Sequence, residues 1–171
     1  VLTEPGKRLT EDDLAQVKAL VNNWVNPVKY LAIDPGKANG VCGYDVHFDL
    51  MFMMSIQSID MNLFLHQFKM VDKCVCEGYK LYPNKIRSQI YSDLETPRVI
   101  GRIENWAEIK KVELIMQPAT VKKTGYLWIG KKPLPKSDPK NHQLDAHVHF
   151  MFWAVKGGHI SATELLKRTM N

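Results

Sequence analysis

Three strand-like runs, residues 28–34, 39–47 and 49–57, follow one another with no helix between them. Runs joined by so few residues pair antiparallel. Two later runs, "KCVCEGY" (73–79) and "VELIMQP" (112–118), are each reached through a helical segment. A helical crossover returns the chain to a parallel neighbour. The order therefore predicts an α/β fold with one mixed five-stranded sheet and helices on both faces. A chain of 171 residues suits a single such core.

The helical segments carry their own signals. Leu14, Val17, Leu20, Val21 and Trp24 fall at helical spacing over 11–24, behind a capping Thr10 and the acids Asp12 and Asp13, and Asn26-Pro27 ends the run. Residues 60–70 fit an amphipathic helix. A helical region over 85–109 is interrupted at Thr96-Pro97, with Thr96 as N-cap, and then carries the stripe Val99, Ile100, Ile103, Trp106 and Ala107. Residues 119–140 read as a short helix followed by a basic loop. Residues 141–156 read as a helix ended by Gly157-Gly158, and Ser161 to Glu164 as a capping box. This divides the chain into an N-terminal helical extension, 1–27, and a main domain, 28–171.

The net charge is +5 and the pI about 9.1, which favours polyanionic partners. Cys42, Cys74 and Cys76 are odd in number and lack metal-type spacing. They read as reduced core residues of an intracellular protein. No apolar run reaches the ~18–20 residues of a membrane span. No signal peptide is visible, although a start at Val1 leaves room for a processed one.

Acids sit where acids are costly. Asp34 ends the first strand in "YLAIDPGK", and Glu77 interrupts the apolar run "VCEGY". A buried carboxylate costs several kcal/mol unless it meets a cation or strong donors. If strands 28–34 and 73–79 are parallel neighbours, Asp34 and Glu77 reach the same sheet edge. In "NHQLDAHVHF" (141–150), His142 and Asp145 point the same way on a helix, and His149 could share that face. Bland readings stand beside this one: Asp34 as a turn residue, Glu77 paired with a lysine, His142 and Asp145 at a wetted surface. His147 and His149 read as structural or surface residues. Taken together, Asp34, Glu77, His142 and Asp145 suggest a site for two hard divalent ions, Mg²⁺ or Mn²⁺, of the kind that serves phosphodiester hydrolysis.

These residues resemble the RuvC family of Holliday junction resolvases. "AIDPGKANGVCGYD" resembles that family's opening strand, "CVCEGY" its second acidic strand, and "QPATVKK" the segment carrying a Val-Lys pair near the site. "HQLDAHVHF" resembles its C-terminal acidic helix, usually Asp-x-x-Asp-Ala, with His142 at the first acidic position. The resemblance covers about residues 28–156 and, within the family, is nearer the phage-encoded nucleases. It implies the RNase H-like fold, a metal-dependent structure-selective DNA endonuclease, Lys122 near the scissile phosphate or attacking water, and a homodimer paired through the 99–106 stripe. It also implies the cytoplasm of a bacterial or phage-infected cell. The extra N-terminal helix and the loop at 124–140 depart from the family pattern.

Branched DNA is the expected partner. Lys80, Lys85 and Arg87 follow Glu77, and Lys122, Lys123, Lys131, Lys132, Lys136 and Lys140 precede the acidic helix. Both groups flank the site where a phosphate backbone must approach. Tyr79, Tyr82, Tyr126 and Trp128 lie among them, placed either to stack on unpaired bases or to pack at the rim. The rival readings are an RNase H-like nuclease on other nucleic acids and a non-catalytic DNA-binding module. An actin-like ATPase needs a second Gly-rich phosphate loop, which the sequence lacks.

Overall fold

The computed structural model describes residues 9–21, 27–36, 38–79, 95–135, 137–138 and 140–165. The elements are α1 (Glu11–Val21), β1 (Tyr30–Asp34), β2 (Ala38–Tyr44), β3 (Leu50–Gln57), a 3₁₀ turn (Ser58–Asp60) and α2 (Met61–Leu65). After them come β4 (Lys73–Gly78), α3 (Glu95–Lys110), β5 (Glu113–Pro118), α4 (Val121–Trp128) and α5 (Asn141–Lys156). The sheet order is β3-β2-β1-β4-β5. β1–β2 and β2–β3 pair antiparallel, while β1–β4 and β4–β5 pair parallel. This is the RNase H-like arrangement that the succession of runs predicts.

The period-2 alternation of β1 builds two cores. Leu31 and Ile33 face α1, α2 and α3, with Val41, Met54, Ile56, Cys74 and Cys76 from neighbouring strands. Ala32 faces α4 and α5, with Cys42, Tyr44 and Val75. Both faces of the central strands are therefore closed to water, and each fully buried Leu or Ile contributes about 1.5–3 kcal/mol. Cys74 and Cys76 share a face, as their spacing requires, and all three cysteines are free and buried. No helix among the described residues is long and apolar enough to cross a membrane.

Several boundaries differ from expectation. α1 has the foreseen cap, reciprocated: Asp13 N–H donates to Thr10 Oγ1 and Thr10 N–H to Asp13 Oδ2. Residues 22–26 lie outside the described residues. α2 ends at Leu65 rather than continuing to Met70, because Gln67 and Phe68 bond three residues back, to Phe64 and Leu65. These tighter turns still bury Phe68 beside Phe64. The described span of α3 starts at Glu95, so Thr96 lies inside its first turn and is not the cap, while residues 85–94 of the expected helical region lie outside the described residues. Pro97 is tolerated there because first-turn N–H groups have no intrahelical partner. The stripe Val99, Ile100, Ile103 and Trp106 is buried in the chain's own core, so it does not present the pairing face that a dimer through this stripe needs.

Candidate functional site

The parallel pairing of β1 and β4 sets Ile33 opposite Cys76. One step further, Asp34 and Glu77 end neighbouring strands on the face that carries Ala32 and Val75, toward α4 and α5. The turn after β1 is held by other groups. Asn39 Oδ1 accepts the Gly36 N–H at 2.9 Å, and Ser58 Oγ donates to the Gly36 carbonyl at 2.8 Å. The oxygens of Asp34 instead meet Lys122 and His142 across the site. A merely turn-forming Asp34 does not account for this geometry.

α5 delivers His142 and Asp145 from its first turns. His142 Nδ1 lies 2.5 Å from Asp34 Oδ2. So close an approach depends on Gly40 in β2: a Cβ there would sit 1.8 Å from the His142 carbonyl oxygen and 2.5 Å from Gln143 N. Backbone atoms cannot yield as a flexible side chain can. Gly40→Ala should therefore push the start of α5 off the sheet and cost at least about 3 kcal/mol of stability, the upper range for overpacking. Denaturant unfolding measures this, and an unchanged midpoint would show that the contact is not structural.

Lys122, in the first turn of α4, occupies the centre. Its Nζ lies 3.0 Å from Asp34 Oδ1, 2.5 Å from Glu77 Oε2 and 2.7 Å from Asp145 Oδ2. Tyr126, one turn on, donates its hydroxyl to Asp145 Oδ1 at 2.5 Å. α4 comes close enough because Gly125 leaves its Cβ space to Val148 of α5. Behind Glu77, the fully buried His149 spans Glu77 and Gln117, with Nε2 3.0 Å from Glu77 Oε2 and Nδ1 2.8 Å from Gln117 Oε1.

The electrostatics follow from burial and this one cation. Burial pushes the Asp34 carboxyl up, only partly offset by His142 and Lys122. Burial also opposes charge on Glu77, but His149, Asp34 and Lys122 outweigh it and hold Glu77 well below the usual carboxylate range. Burial works against the Lys122 ammonium too, yet Asp34, Glu77 and Asp145 hold it well above an ordinary lysine. The hydrogen bond to Asp34 raises His142 against its partial burial. Three carboxyls gathered around one ammonium make a site that demands positive charge. Asp34, Glu77 and His149 each offer a ligand atom within 4.8 Å of the others. Two carboxylate oxygens with one imidazole nitrogen beside them fit a divalent cation of the Mg²⁺ or Mn²⁺ class.

All five sequence-derived site residues, Asp34, Glu77, His142, Asp145 and Lys122, meet here. Lys123, Lys131 and Lys132 are exposed on and just after α4. Lys80, Lys85, Arg87 and Tyr82 lie outside the described residues. Tyr126 is nearly buried and tied to Asp145, and Trp128 stacks on Phe152 at 5.3 Å, so neither ring lies free for a base. His149 belongs to the cluster rather than the surface, and its place four residues after Asp145 was the available signal. His147 is buried against Tyr44, its Nδ1 2.8 Å from the hydroxyl.

No family model and no curated protein matches the sequence. Solved structures do. The chain is similar in structure to Holliday junction resolvases. One is T. thermophilus RuvC in complex with Holliday junction substrate, at 14% identity and a TM-score of 0.48, covering 75% of this chain and 96% of that one. A second Thermus thermophilus RuvC structure matches at 15% identity, with the same TM-score and coverage. The yeast mitochondrial Holliday junction resolvase Ydc2 matches at 12% identity and a TM-score of 0.46, covering 95% of this chain and 93% of that one. The chemistry of the site rests on its own geometry.

Proposed function

We propose that this chain is a divalent-metal-dependent endonuclease that nicks branched DNA, four-way junctions among its substrates. One observation carries the reading: carboxyls from β1, β4 and α5 converge on a single ammonium at one end of the sheet. Asp34, Glu77, Asp145 and His142 would hold Mg²⁺ or Mn²⁺, two ions in the fully loaded site. Bound there, the ions supply Lewis-acid polarisation of a phosphodiester and make water a nucleophile near neutral pH.

The chain's own residues do the rest. Glu77 is held as a carboxylate against its burial by His149, Asp34 and Lys122, and Asp34, whose charge burial opposes, gains most from a bound cation. His142, held by Asp34, contributes a nitrogen donor that biases the site toward Mn²⁺, the better acceptor of nitrogen ligands. Lys122, once its carboxylates are otherwise neutralised, is free to meet the scissile phosphate. Lys123, Lys131 and Lys132 draw the backbone in through salt-sensitive contacts, and Lys80, Lys85 and Arg87 are assigned the same part.

The test is a labelled four-way junction incubated with Mg²⁺, with Mn²⁺ and with chelator. Metal-dependent nicks near the branch, faster in Mn²⁺, with matched linear duplex spared, are expected. Tight junction binding with no cleavage of junctions, forks, flaps or RNA–DNA hybrids would instead make the chain a non-catalytic DNA-binding module.

A further inference from the structure

Beside the acid cluster, α4 and the segment after it enclose an open groove of about 430 Å³, lined by Lys122, Lys123, Tyr126, Leu127, Lys131, Lys132 and Pro133. Its volume lies in the range of small-molecule sites, about 300–1,000 Å³. Its floor is Tyr126, whose hydroxyl is already bonded to Asp145, so the groove begins one side chain away from the site.

The lining combines an apolar wall with positive charge at its rim. Leu127 is 72% exposed, and with Pro133 and the lysine stems it gives the groove an apolar wall. Around that wall stand Lys123, Lys131 and Lys132, with the stem of Lys122, whose ammonium is held in the acid cluster. A wetted lysine cluster alone does not require a large exposed leucine among it. A ligand with a flat apolar face and an anionic edge satisfies both features, and a nucleotide within a strand is such a ligand: the base covers carbon and the flanking phosphates meet ammoniums. Bases inside a duplex are already stacked, so only an unstacked base at a branch can be offered.

We infer that this groove receives one unstacked nucleobase of the bound DNA strand, beside the phosphate presented to the acid cluster. This subsite rests on the nuclease reading and adds to it a reason for choosing branched over linear DNA. Leu127, fully on the surface side of α4, is its specificity-determining residue.

The experiment is an abasic scan. Four-way junctions carrying a single abasic nucleotide at each position around the crossover are titrated by anisotropy, in metal-free buffer, against wild type and Leu127→Ser. Leu127→Ser should weaken the intact junction about five- to tenfold, the order expected for losing the apolar contact of one partly covered leucine. One abasic position should weaken wild type to the same degree, and there Leu127→Ser should add nothing. Wild-type binding that is tight while Leu127→Ser has no effect, or weakens every abasic junction alike, would overturn the subsite and leave the nuclease reading standing. Failure of wild type to bind any branched DNA would overturn both. Displacement of the junction by micromolar dAMP would reassign the groove to a free mononucleotide and overturn the strand subsite.

Discussion

Asp34→Asn should leave the protein folded and reduce junction cleavage by several orders of magnitude. The substitution keeps the shape of the side chain and removes one negative charge from the centre of the proposed metal site. Folding should survive because the turn after β1 is tied by Asn39 and Ser58, not by Asp34. Junction binding should be retained or slightly tightened, since one charge facing the phosphate is gone. Stability should also change its dependence on pH. In the native chain the Asp34 hydrogen bond raises the His142 pKa above its ordinary 6.5. A group raised on folding stabilises most below its unfolded pKa and loses that contribution as pH rises through the folded value. The stability gap between wild type and Asp34→Asn should therefore narrow as pH rises above about 6.5, measured by urea unfolding. Cleavage at the wild-type rate by Asp34→Asn would reduce the residue to a turn former.

Lys122→Met should destabilise the metal-free protein by about 3–5 kcal/mol, the usual cost of removing one partner from a buried ion cluster. The methionine keeps the stem and leaves Asp34, Glu77 and Asp145 facing one another without their cation. Partial exposure of the lysine, 22% of its side chain, places the effect at the low end of that range. Divalent ions should then stabilise the variant more than wild type, because they no longer displace an ammonium. Melting curves with and without Mn²⁺ give both numbers. Equal metal-dependent shifts in the two proteins would mean that Lys122 and the ion do not compete for the same carboxylates.

Much of this was readable in the residues because several levels of pattern agreed. The crossover order set strand directions, the directions put Asp34 and Glu77 on one edge, and the helical spacing of His142 and Asp145 put them on one face. α5 runs over the residues its pattern marks, Asn141 to Lys156. What was not readable depended on tertiary contact. Nothing local distinguishes Gly40, which lets α5 approach β2, from any other strand glycine. Asn39 opens the strand-like run 39–47, and nothing local shows that its side chain holds the Pro35-Gly36 turn. Lys122 was assigned to the phosphate, and its position among three carboxyls follows from the α4–α5 approach at Gly125. His149 was ambiguous because an i+4 histidine in an apolar helix is as easily a core residue. α3's stripe overstated an external surface, since α3 needs that width to cover its own face of the sheet.

The most direct test of the account is anomalous scattering from crystals of the protein soaked in Mn²⁺. Peaks among the side chains of Asp34, Glu77, Asp145 and His142, with the Lys122 ammonium withdrawn from its three carboxylates, are the predicted result. Lys122 still bridging all three carboxylates, with no peak between them at saturating Mn²⁺, would contradict it.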